Sequence, residues 1–167
     1  MQQDSDALNG LTAQDFVASV LFDPTFDEGM ALVEETAHYL DGRGREEARA
    51  LPRKASMLYA GESMRVTTRL MQAASWLLLQ RAVRDGDMEA EQALGERYRL
   101  GSKEICLGAC AESTEMLPVT LRDLLGRSDS LYRRIARLDD VLFGEGMTAA
   151  PGAREHQNRL AQAFGSD

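Results

Sequence analysis

The stretch LPRKASMLYAGESMRVTTRLMQAASWLLLQRAVRD, residues 51–85, decides the fold. Beyond Pro52 it meets no strong breaker until Asp85-Gly86-Asp87. Its one interior glycine, Gly61, costs a helix only about 1 kcal/mol against alanine. A single long helix is therefore expected. At about 100° per residue, Tyr59, Ala60, Met64, Leu70, Met71, Ala74, Leu77, Leu78 and Ala82 gather on one face, with Ser63 and Thr67 among them. That face is the expected core. The opposite side is not plain solvent-facing helix. Leu58, Glu62, Arg65, Arg69, Gln72, Trp76, Gln80 and Val83 alternate at spacings of four and three, a second stripe that carries the only tryptophan. Arginine beside tryptophan is the composition of a binding hot spot, which makes Arg65, Arg69, Gln72 and Trp76 candidate interface residues. The same stripe also fits burial under another helix of the bundle, or beneath its own arginine stems. At this point both readings stay open.

Working outward, two further helices frame the first. Asp23-Pro24 reads as a helix start, with aspartate as cap and proline at the first position, where its missing N–H costs nothing. Phe26, Met30, Val33, Ala37 and Leu40 then form one apolar stripe, and Gly42-Arg43-Gly44 ends the helix. Downstream, Met88 to Leu100 reads as a shorter helix and residues 101–112 as a loop. Pro118 is acceptable in the first turn of the last strong helix. There Leu117, Leu121, Leu124, Ser128, Leu131, Ile135, Leu138 and Leu142 follow a coiled-coil-type spacing up to Gly144 and Gly146. No run alternates as a strand would. The expected fold is all-α, an antiparallel three-helix bundle with short accessory helices and flexible termini. Residues 1–22 are expected to be a flexible leader with one short helix, 23–143 the bundle, and 144–167 a disordered tail. In that tail Leu160 and Phe164 lie four apart beside Arg159, a turn that either meets a partner or is inert.

Charge is unevenly placed on this chain of net charge −8. Residues 1–42 hold nine Asp or Glu and no Lys or Arg, whereas residues 43–84 hold nine basic and three acidic residues. Pairing between the two segments, within or between chains, is expected, with Asp27, Glu34 and Glu35 as the acidic edge. Overall acidity argues against general nucleic-acid binding. The longest apolar run, Trp76 to Leu79, is far short of a membrane span. Two cysteines and no apolar leader point to a cytoplasmic protein with reduced thiols.

Chemistry is hard to find. His38 and His156 lack the paired ligands of a metal site. Cys106 and Cys110 are spaced C-x3-C, where metal knuckles and redox motifs favour C-x2-C. Phosphate-loop and nucleophile-elbow patterns are absent. No cofactor, metal or catalytic constellation is expected, so the chain reads as a non-enzyme with surface left over for partners. A helical, dimeric DNA-associated or transcriptional regulator is the alternative.

The strings Glu28-Gly29-Met30-Ala31-Leu32-Val33-Glu34-Glu35-Thr36-Ala37 and Tyr39-Leu40-Asp41-Gly42 closely resemble the regulator of CtrA degradation (RcdA) family of alphaproteobacteria. So do Glu62-Ser63-Met64-Arg65, Thr67-Thr68-Arg69-Leu70-Met71-Gln72, Ala74-Ser75-Trp76-Leu77-Leu78, and Leu117-Pro118 with Leu121-Arg122-Asp123-Leu124. The resemblance covers about residues 25–143 and fails over the leader, the 100–112 loop and the tail. It implies a non-catalytic adaptor that forms a three-helix bundle, tends to form a homodimer and helps deliver cell-cycle substrates to the ClpXP protease. It further implies a CpdR-type response regulator and a PopA-type cyclic-di-GMP-binding partner, CtrA-like cargo, and recruitment to a cell pole.

Overall fold

The computed structural model describes residues 21–109 and 114–149. Six helices follow in order: α1 (Phe22–Asp41), α2 (Arg43–Ala50), α3 (Arg53–Arg84), α4 (Ala90–Ala93), α5 (Lys103–Leu107) and α6 (Val119–Ala149). Short 3-10 turns lie at Glu96–Tyr98 and Thr114–Met116, and no strand occurs among the described residues. The chain is an all-α helical bundle built on α1, α3 and α6.

Cross-helix pairs give the directions. Asp23 of α1 meets Arg84 at the end of α3, and Tyr39 of α1 lies beside Tyr59 near its start, so these helices are antiparallel. Glu35 pairs with Arg127 and Glu28 with Arg134, so α1 is antiparallel to α6 as well. Arg69 reaches Asp129, and Trp76 reaches Asp139, so α3 and α6 run parallel. Short links throughout would have set successive helices antiparallel. Here residues 85–109 return along the bundle before α6 begins, a strap that carries α4 and α5.

Small residues set the rotation of α1. Phe22, Thr25, Gly29, Leu32, Thr36 and Tyr39 are buried. The expected stripe lies one residue further on: Phe26, Met30, Val33 and Leu40 are half-buried and Ala37 is exposed. One residue is about 100° of helix, enough to exchange centre for margin. The close approach explains the choice, because a Cβ on Gly29 would lie 2.7 Å from Leu77 Cδ1. The helix also begins at Phe22 without a side-chain cap, and Asp23 is committed to Arg84 instead. Pro52 ends α2 and opens α3 rather than kinking one helix.

The heptad-like seam of α6 is buried from Leu121 through Leu138, with Leu142 at its edge, and the helix continues past Gly144 to Ala149. The expected Met88–Leu100 helix shrinks to α4 and one 3-10 turn. Gly95 is extended there, at φ −62° and ψ 140°, and stops propagation.

Glu35 and Arg127 clamp α1 to α6 through two parallel bonds, Nη1 to Oε1 at 2.8 Å and Nη2 to Oε2 at 2.7 Å. Arg127's hydrogen bonds hold the Glu35 carboxyl below its ordinary range. A carboxylate depressed on folding adds stability above its unfolded pKa of about 4.3 and loses it as pH falls through the folded value. Half-exposed pairs are worth about 0.2–1 kcal/mol. Glu35→Gln is therefore expected to lower urea stability by about that amount at pH 7 and by nothing measurable near pH 2. A deficit that persists unchanged in acid would exclude the clamp.

Candidate interaction surfaces

On α3, the expected core and interface faces have partly changed places. Tyr59, Leu70 and Leu77 are buried as expected, together with Ala55, Val66 and Ala73. The candidate interface stripe is buried too: Glu62, Arg69, Trp76 and Gln80 are inside. Arg69 is 1% exposed and Trp76 3%, so their own chain, not a partner, covers them. The side of α3 holding this stripe faces α6 and the strap, which explains the burial.

The polar groups of the stripe form a ladder that holds the strap. Arg69 is its centre. Its Nε donates to Cys106 O at 2.8 Å, Nη1 to Leu125 O at 3.2 Å and Nη2 to Asp129 Oδ1 at 2.8 Å. One planar guanidinium thus joins α3, α5 and α6, which a lysine could not do with the same geometry. Arg65 donates from Nη1 to Ile105 O and Gly108 O, and from Nε to the buried Glu62. Gln72 Oε1 accepts from Gly101 N at 3.0 Å. Trp76 Nε1 donates to Asp139 Oδ1, which also accepts from Leu100 N. Asp139 was invisible in the sequence pattern, because the apolar seam of α6 runs through its neighbour Leu138. Cys106 is buried beneath Arg69, and burial pushes its thiol up, away from the reactive thiolate. Cys110 lies outside the described residues.

The expected core face supplies the exposed surface. Met57, Met64, Met71 and Leu78 are 70%, 71%, 65% and 52% exposed. They recur every seven residues, and Ala60, Thr67 and Ala74 fall between them, giving a three-four alternation along one side of α3. Beside Met71 and Leu78 a groove of about 400 Å3 opens toward α1, lined by Val33, Ala37, Leu40 and Leu70. Methionine is unbranched and polarizable, so such a surface can fit partners of varied shape.

The acidic edge divides in two. Glu34 is exposed, while Glu35 is held by Arg127. The expected pairing of the acidic first segment with residues 43–84 holds for Asp23 with Arg84, whereas Glu28 and Glu35 reach α6 instead. Arg159, Leu160 and Phe164 lie outside the described residues. Among the described residues no group of His, Cys, Asp and Glu is placed to hold a metal ion, and no helix is long and apolar enough to cross a membrane.

Removing Arg69 takes a donor from the buried Cys106 and Leu125 carbonyls, while Asp129, 29% exposed, keeps Arg133; a buried polar group left unmet costs about 1–3 kcal/mol. Arg69→Met should lower the stability of the chain by about that amount in chemical denaturation. Met64→Gln, on the exposed seam, should change it by under about 0.5 kcal/mol when measured on dilute, monomeric protein. Equal effects from the two would show that Arg69 is not a structural tie.

A family model described as "Protein of unknown function (DUF1465)" matches residues 13–164. No curated protein matches the sequence. Among solved structures, the chain is similar to the crystal structure of RcdA from Caulobacter crescentus CB15. The two are 52% identical over 78% of this chain and 97% of that one, with a TM-score of 0.64. With its all-α bundle and a family match over most of its length, the chain belongs to the DUF1465 family, the family of RcdA.

Proposed function

We propose that the chain is a non-catalytic adaptor that helps deliver CtrA-type cell-cycle substrates to the ClpXP protease through protein–protein contacts. It acts as a homodimer in the cytoplasm beside a CpdR-type response regulator and a PopA-type cyclic-di-GMP-binding partner, with recruitment to a cell pole. Tethering is the mechanism: holding cargo and protease together raises the cargo's effective concentration at the protease, and no bond is made or broken by the adaptor itself.

The observation that carries this reading is the exposed Met57, Met64, Met71 and Leu78 seam, with RcdA-family membership behind it. Large apolar side chains left in water at a heptad repeat are costly unless something covers them. The seam offers methionine where a phosphate-binding face needs lysine and arginine, so it favours an adaptor over a DNA-associated regulator. Arg65, Arg69, Gln72 and Trp76 keep the strap in place and support that surface from behind. The exposed Glu34 beside the groove is a candidate for steering a basic partner.

The double variant Met64→Asp/Met71→Asp tests the reading. It should fold with the wild-type helical content, since both positions face water. Light scattering should show loss of the dimer, and co-purification with the protease assembly and reconstituted cargo degradation should fall at least about tenfold. Wild-type values in all three measurements would overturn the assignment of the seam.

A further inference from the structure

The Arg65, Arg69, Gln72 and Trp76 rungs of α3 hold the strap or α6 through their polar atoms. The next rung, Gln80, holds nothing. It is only 7% exposed, yet its amide makes no hydrogen bond to any described residue. A buried amide without a partner is uncommon in a folded chain and costs stability. Neither of its polar atoms is sealed off. In this they differ from Arg99 Nε and Asp139 Oδ2 nearby, which also lack partners but are closed even to a guest the size of water.

Gln80 opens on a cavity of about 390 Å3 between α3, the strap and α6, which the adaptor reading does not use. Its other walls include Trp76, Leu94, Tyr98, Leu142 and Phe143. That volume lies in the range of small-ligand sites, about 300–1,000 Å3. A primary amide sets a donor beside an acceptor, whichever way its oxygen and nitrogen are turned. Its complement is a second amide, whose N–H donates to Oε1 while its carbonyl accepts from Nε2. Other groups fit less well. A carboxylate would set an acceptor against Oε1 and lie near the buried Asp139 carboxylate. A cation would meet Arg84 and Arg99, which also line the cavity. A hydrocarbon would leave the Gln80 amide as unmet as before. Aromatic walls favour a planar ring as the body of the guest.

We propose that this cavity is a binding site for a small, uncharged aromatic molecule carrying a primary or ring amide. Gln80 reads the amide edge, and the ring seats against Trp76 and Phe143. The inference does not rest on the adaptor reading.

Benzamide, added to the full chain, is the probe. Trp76 is the only tryptophan and lines the cavity, so its indole N–H gives one signal there in a 1H–15N spectrum. Benzamide should move that signal and the Gln80 side-chain NH2 pair saturably. Acetophenone, of the same shape but without the N–H donors, should bind about tenfold more weakly, and so should benzoate. Gln80→Met keeps the length of the side chain and removes its amide. This variant should bind benzamide and acetophenone equally. Its Tm should not fall, since the amide it loses has no partner in the chain. Ala93→Leu, which narrows the cavity, should weaken benzamide at least about tenfold. Four results would each overturn the proposal: no saturable shift in the wild type, equal wild-type affinity for benzamide and acetophenone, an intact preference in Gln80→Met, or a lowered Tm in that variant. Because no protease or cargo is present, none of them bears on the adaptor reading.

Discussion

The buried Arg69 guanidinium is the constraint on which the rest of the structure depends. Its three bonds reach the strap at Cys106, the α6 backbone at Leu125 and the carboxylate of Asp129. A charge this deep is tolerated only when its donors are met, and the donors can be met only if α6 and the strap lie where they do. Two parallel helices need a long return connection, and a return connection lacking long helices of its own brings unpaired backbone groups into the core. Arg65, Arg69 and Gln72 satisfy several of them, and Asp139, itself held by Trp76, satisfies another.

Committing one side of α3 to the strap and α6 frees another. The heptad of Met57, Met64, Met71 and Leu78 would have made an ordinary core stripe had α6 packed on that side. Instead it faces water, with α1 alongside and a groove between. The interior and the exposed seam follow from one choice of direction for α6. The small residues of α1 belong to the same choice, since Gly29 lets that helix press against Leu77 and Leu131.

Much of the architecture was legible in the sequence because periodicity survives context. The long α3 and the buried seam of α6 follow from apolar spacing and breakers, whereas Pro52 is compatible in sequence with either a kink or a helix start. Where the inner side of α3 is centred did not follow. Two stripes of comparable regularity run along it, and the expected core face is only partly inside: Tyr59, Leu70 and Leu77 are buried, whereas Met64, Met71 and Leu78 are exposed and Glu62, Arg69 and Trp76 of the other stripe are buried. Methionine and leucine look buried in composition, arginine and glutamate look exposed. Arg69 and Glu62 break that rule because they are paired and hydrogen-bonded, and pairing between residues distant in sequence leaves no local mark. The α1 stripe was displaced by one position for a related reason, since Thr25, Gly29 and Thr36 are chosen for closeness rather than hydrophobicity. The direction of α6 was hidden in a strap whose helices are too short to show a period.

Hydroxyl-radical footprinting of the full chain, alone and with the protease assembly, tests most directly the claim that α3 has a structural side and a working side. Trp76 should stay unoxidised in both states. Met64 and Met71 should react readily in dilute free protein and become protected in the complex. Oxidation of Trp76 in the free chain that disappears on binding, with Met64 and Met71 unchanged, would reverse the assignment of the two faces and contradict the account.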